Sequence, residues 1–284
     1  MQKHARMLTV GRRVFLYGFL VVFAARAQQL VRLEDLTHPE VKQREIRVLV
    51  LPVGSTEPHA NHLCYGNDAW TAEALAKLAA ARANQNGARV AVLPMMPYGV
   101  NTNVAAIAYA QSIRPATMIQ FVNDVVETAE SHGIRKLVII NTHGGNSTTL
   151  GAAQRELAAS HPKVFVALIE PSKVYADVAA KIIERRGDHA SEAETSVSLA
   201  LFPDKVYMDR ARPPREAGFR LKSLNEPYVT IVRPWKYVSD NTGLGDPTRA
   251  SAAKGQKLVE VFVERVSAFL KELSDAELTE SFPY

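Results

Sequence analysis

Val48-Leu49-Val50-Leu51-Pro52-Val53 runs directly into Gly54-Ser55-Thr56-Glu57-Pro58-His59-Ala60-Asn61-His62-Leu63-Cys64-Tyr65-Gly66-Asn67-Asp68. Six apolar residues followed by a glycine read as a buried strand and the loop that leaves its carboxyl end. Open α/β sheets place their sites at that end. The loop holds Glu57, His59, His62 and Asp68, whose carboxylates and imidazoles suit a borderline divalent ion. Glu57 and His59 are two residues apart, so extended backbone points both to one side. His62 reads as a packing residue.

Outward from this stretch, apolar runs alternate with helical patterns. Strands are expected over 46–53, 90–93, 137–140 and 164–169, and helices over 69–83, 115–132, 149–159, 174–183 and 188–201. A last amphipathic helix is expected to open at Asp246-Pro247-Thr248 and run to Leu273, with Leu258, Phe262, Val266 and Leu270 on one face. A short helix is expected behind Thr37-His38-Pro39-Glu40, with Thr37 as its cap. Residues 203–247 are rich in Pro, Arg and Gly and show little period. This alternation implies a single α/β domain: a mainly parallel sheet sandwiched between helices. No internal repeat or dividing linker interrupts it.

The first 27 of the 284 residues read as a removable leader. A basic start (Lys3, Arg6, Arg12, Arg13) precedes the apolar run 14–24, and Ala25-Arg26-Ala27 offers a cleavage site before Gln28. Gly11-Arg12-Arg13-Val14-Phe15-Leu16 also resembles a twin-arginine export signal. An exported, periplasmic or secreted domain over 28–284 is therefore expected, with no membrane attachment after cleavage. Five of the 34 basic residues and none of the 29 acidic ones lie in the leader, so the rest balances to zero. That balance argues against nucleic-acid binding. The single cysteine, Cys64, excludes an intrachain disulfide and reads as a buried filler.

Two further segments carry donors of the same kind. His143 follows the third strand in Asn141-Thr142-His143-Gly144-Gly145-Asn146. His189, Glu192 and Glu194 cluster at a helix start. Parallel neighbouring strands would open the first two loops at one end of the sheet.

Leu51 to Leu63 with Asp68, Asn141 to Asn146, and His189 to Ser196 resemble, in that order, the signatures of the creatininase (creatinine amidohydrolase) family. The likeness extends over nearly the whole chain after the leader. It implies an α/β/α fold, a homo-oligomer (a hexamer) and two divalent ions per chain, zinc foremost, with manganese or iron also suited. By position, Glu57 and His143 would hold one ion, His59 the other, and Asp68 would bridge. Creatininase takes a further glutamate where this chain has Gly145. Glu192 is expected to fill that role, with Glu194 the alternative ligand or a catalytic neighbour. His189 would be the proton donor. The implied chemistry is hydrolysis of a C–N bond in a small cyclic amide, formamide or peptide end by a bridging water ionised near neutral pH. A non-catalytic, metal-dependent binding protein of the same fold is the alternative. Pro58, Ala60-Asn61, Cys64, Thr142 and Tyr109 to Ser112 depart from the pattern around the family's pocket, so the resemblance does not carry creatinine across as substrate. Trp235 and Tyr237 are candidates for a substrate wall, and Trp70 for the core.

Overall fold

The computed structural model describes residues 31–226 and 228–284, so the expected leader, residues 1–27, lies outside the described residues. Four strands, β1 (Val48–Val53), β2 (Val90–Val92), β3 (Lys136–Asn141) and β4 (Phe165–Ile169), form one sheet in the order β2-β1-β3-β4. Every pairing is parallel. The helices are α1 (His38–Gln43), α2 (Asn67–Gln85), α3 (Pro115–Ser131), α4 (Ser147–Ser160), α5 (Pro171–Val174), α6 (Ala176–Ile182), α7 (Glu192–Leu201) and α8 (Ala252–Asp275).

β1 and β3 are buried throughout because helices cover both faces. Val48 and Val50 join Val138 and Ile140 in a core with Ala76, Ala79 and Ala83 of α2 and Leu258, Phe262 and Leu270 of α8. Leu49, Leu51 and Val53 join Leu137 and Ile139 in a second core with Met118 and Val122 of α3 and Leu150 and Leu157 of α4. Successive residues thus face opposite cores, the two-residue period of a strand. The register pairs Val53 with Asn141, so the loops after β1 and β3 leave the sheet side by side. This adjacency brings the first two motifs together.

Several boundaries differ from expectation. Asp68 lies in the first turn of α2, which begins at Asn67. Gly54 allows that packing, since a Cβ there would stand 2.5 Å from Ala69 Cα. The helix expected over 174–183 is broken at the buried Tyr175, between α5 and α6. The last helix starts at Ala252, capped by the Ser251 hydroxyl accepting from the Lys254 N–H at 3.3 Å. Asp246 instead closes a local turn, accepting from the Thr248 N–H at 2.9 Å. Residues 203–247 are largely irregular, yet they fasten the site: His189 N–H donates to Leu244 O at 3.1 Å, and Leu244 N–H to His189 O at 2.8 Å. Among the described residues no helix is long and apolar enough to cross a membrane.

Candidate metal centre

Glu57, His59, Asp68, His143 and His189 are all buried and meet at the carboxyl end of β1 and β3. Their donor atoms, with those of Glu194, form three groups within which all distances are at most 4.8 Å: Glu57/Asp68/His143, His59/Asp68/Glu194 and Glu57/His59/His189. Asp68 belongs to two groups because its oxygens face different imidazoles. Oδ1 lies 3.0 Å from His59 Nε2, and Oδ2 lies 3.2 Å from His143 Nδ1. Glu57 Oε1 is 2.8 Å from His143 Nδ1, and Glu194 Oε1 is 3.2 Å from His59 Nε2.

Backbone carbonyls fix which ring nitrogen each histidine turns to the cluster. His59 Nδ1–H donates to Glu57 O at 3.0 Å, leaving Nε2 inward. His143 Nε2–H donates to Val100 O at 3.3 Å, leaving Nδ1 inward. His189 Nε2–H donates to Pro58 O at 2.9 Å, so Nδ1 faces Glu57 Oε1, 3.7 Å away. The His189 ring lies against His59, centroids 4.2 Å apart, and against the edge of buried Trp235 at 4.7 Å.

The donor set suits cations. Burial alone would lower the pKa of His59 and His143; neighbouring carboxylates outweigh it, raising His59 well above its usual value and His143 to about 10. Burial would raise Asp68 and Glu194, but His59 beside them holds both carboxyls below their usual range. Without a metal ion, imidazolium protons supply the positive charge these buried carboxylates need. Asp68 Oδ2 is buried without a well-aligned hydrogen bond, His143 Nδ1 standing beside it at 3.2 Å, so a direction is still open to a ligand bond. The residues therefore fit divalent ions, one between Glu57, His143 and Asp68, the other between His59, Asp68 and Glu194.

Glu192, expected at the cluster, lies elsewhere. Its fully buried carboxylate accepts from the Glu184 and Arg185 N–H groups at 3.2 and 2.6 Å and from Lys254 Nζ at 2.6 Å. The helix explains the difference: residues two apart are rotated by about 200°, so Glu192 and Glu194 leave opposite faces of α7. Glu194 is the carboxylate that reaches His59. Gly145 leaves no room for a further ligand, since a Cβ there would lie 2.4 Å from His143 Nε2 and from Val100 O.

His62 is buried beside Thr195, with Nε2 2.8 Å from its hydroxyl, and burial lowers its pKa to about 4. It belongs to none of the three groups. Cys64 is half-buried, its thiol donating to Lys205 O. Trp70 packs edge-on against Phe202, and Tyr237 is exposed. Sequence reading passed over Asn67 and Asn146. Asn67 donates to Glu194 Oε1 at 3.0 Å and accepts from the Ser198 hydroxyl at 2.6 Å. Asn146 donates to Gly54 O and accepts from the Val100 N–H, tying the loops after β1, β2 and β3 together. Two asparagines within the recognised motifs were the available signal. A cavity of about 540 Å³ opens on Asp68, His143 and Glu194. His189 does not line it; it backs the cluster at Glu57 and His59.

A family model described as creatinine amidohydrolase matches residues 34–270. A creatinine amidohydrolase of Pseudomonas putida is 28% identical over 79% of this chain and 89% of its own length. A mycofactocin precursor peptide peptidase of Mycobacterium tuberculosis is 29% identical over 76% of this chain and 81% of its own. Among solved structures, a candidate creatinine amidohydrolase of Bacteroides fragilis NCTC 9343 superposes with a TM-score of 0.81 at 30% identity, covering 89% of this chain and 99% of its own. A manganese creatininase and a mutant creatininase of Zn–Zn type each superpose with a TM-score of 0.70 at 27% identity, covering 87% of this chain and 99% of their own.

Proposed function

We propose that this chain, which belongs to the creatinine amidohydrolase family, is a metal-dependent amidohydrolase that holds two divalent ions and cleaves the C–N bond of a small amide or a peptide end. The observation that carries the dinuclear reading is Asp68, whose two oxygens face His59 and His143 in two separate donor groups. Zinc and manganese are the favoured ions, given the donors here and the metals named in the creatininase structures. Relatives named for creatinine and for a precursor peptide bracket the substrate class.

When bound, the pair of ions polarises the amide carbonyl and lowers the pKa of water enough to give a nucleophile at neutral pH. The chain's own residues do the rest. Glu57, His143, Asp68, His59 and Glu194 would hold the ions. Asn67 orients the Glu194 carboxylate. His189 keeps its Nε2–H on Pro58 O and turns Nδ1 toward Glu57 Oε1, 3.7 Å away, so it can hold a proton behind the cluster for relay through Glu57 to the departing amine. Trp235 and His59 pack its ring and fix its rotamer. Burial of Glu57, His59, Asp68 and His143 strengthens the charge interactions among them.

His189→Ala tests the assignment. Amide turnover should fall by a factor of about 10² or more while two metals per chain remain. Full turnover would remove His189 from the chemistry, and loss of metal would make it a ligand, as its group with Glu57 and His59 allows.

The same reading takes the enzyme as exported and homo-oligomeric. The basic, apolar leader supports export, and mass spectrometry of native protein should find Gln28 first; an intact Met1 would remove that claim. Exposed Leu221, Ile231 and Val232 support self-association, and light scattering should give several times the chain mass.

A further inference from the structure

The geometry points to a substrate whose far end is a carboxylate, held by Arg186 at the mouth of the cavity, so that the chain takes N-acyl amino acids or peptide ends. This rests on the reading of the metal cluster as the reacting end of that cavity.

The cavity runs from Asp68, His143 and Glu194 at its floor to Arg186 and Asp188 at its rim. Its volume of about 540 Å³ lies within the roughly 300–1,000 Å³ range of sites for drug-sized ligands, more than a small ring fills. Between floor and rim, apolar Tyr175, Ala176, Ala179 and Ile183 line the cavity beside polar Thr71 and Glu170. A substrate spanning it needs an amide at one end, apolar atoms to lie on Tyr175 and Ile183, and a polar group at the other.

Arg186 selects that polar group. Lys173 is engaged by Glu170, Lys254 by Glu192 and Glu184, and Arg185 by Asp246 at 3.8 Å. The Arg186 guanidinium forms no ion pair or hydrogen bond among the described residues, so its planar fork is free for a carboxylate. Its backbone, in contrast, is pinned on both sides. Glu192 accepts from the Glu184 and Arg185 N–H groups, and Asp188 N–H donates to Leu244 O at 2.8 Å. The buried carboxylate that sequence reading assigned to a metal therefore positions the rim of the cavity. Asp188 shares that rim, its carboxylate also unpaired among the described residues, and would favour an ammonium; a carboxylate ligand is preferred because the fork offers two parallel hydrogen bonds to it.

Three matched probes decide the matter: N-acetyl-6-aminohexanoate, its neutral carboxamide and N-acetyl-1,5-diaminopentane. Their binding to the metal-loaded chain is measured by calorimetry, and their hydrolysis is followed in parallel. N-acetyl-6-aminohexanoate should bind about tenfold tighter than the carboxamide. In Arg186→Gln the preference should fall to about twofold or less, with metal content unchanged. Equal binding of acid and carboxamide, tighter binding of the ammonium probe, or a preference that survives Arg186→Gln would each overturn the inference. Tighter binding of the acid with no hydrolysis of any amide would leave it standing and sink the amidohydrolase reading. Hydrolysis without charge preference would do the reverse.

Discussion

Glu192 and Glu194 stand two positions apart and do unrelated work. Glu194 shares His59 with Asp68, whereas Glu192 is sealed against Lys254 and two backbone N–H groups. The two variants should separate cleanly. Glu194→Gln should lower bound metal toward one ion per chain. Glu192→Ala should keep both ions but lower stability by about 3 kcal/mol, since it leaves the Glu184 and Arg185 N–H groups without their acceptor and the part-buried Lys254 ammonium with only Glu184 and Arg249 O. Metal analysis beside denaturant unfolding reads both, and a loss of metal in Glu192→Ala alone would return the ligand role to it. The types and spacing of Glu57, His59 and His143 were legible in the sequence because each follows closely on a strand, and Asp68 because it ends the same donor-rich loop where α2 begins. The choice between Glu192 and Glu194 was not, because it depends on the residue at which α7 starts, and helix starts shift easily by a position or two.

At the scale of elements, the residues after two site histidines adopt left-handed backbone without being glycine: Ala60 at φ 53° and Ala190 at φ 48°. Ala60 N–H is held by the Thr242 hydroxyl at 2.9 Å, which fixes the turn behind His59. Ala60→Gly should relieve the strain and stabilise the protein by about 1 kcal/mol, seen as a higher unfolding midpoint; a lower one would show that Ala60 is unstrained. The start of α8 offers a second check. Ser251→Ala should cost about 1 kcal/mol as a lost cap, and Asp246→Ala less, because only Ser251 accepts from the helix backbone. The strands were readable from unbroken apolar runs, whose burial on both faces demands such composition. The opening of α8 was not, since Asp246-Pro247-Thr248 carries the chemistry of a helix cap but closes a turn. The irregular 203–247 segment gave no period to read, yet Leu244 and Trp235 from it seat His189.

For the molecule as a whole, one sheet between two apolar cores carries a charged cluster at its carboxyl end, and the charge state of that cluster links stability to pH. In metal-stripped protein the folded His143 has a pKa raised from 6.5 to about 10. The folded state then binds more protons than the unfolded one between those values, so stability falls as pH rises. Stripped protein should therefore be fully supported by this group below pH 6.5 and lose that support toward pH 10. His59 acts in the same direction. Metal-loaded protein should show the opposite trend over the lower part of this range, because ions compete with those protons. Thermal unfolding of both forms across the range tests this, and parallel curves would contradict it. Metals binding only the folded chain should also raise its stability by about 2.7 kcal/mol per site at a hundredfold excess over Kd. The most direct test is a metal count. Elemental analysis of purified, metal-loaded protein should find close to two divalent ions per chain, falling below one in Asp68→Ala. No bound metal, or the same count in both proteins, would contradict a dinuclear centre bridged by Asp68.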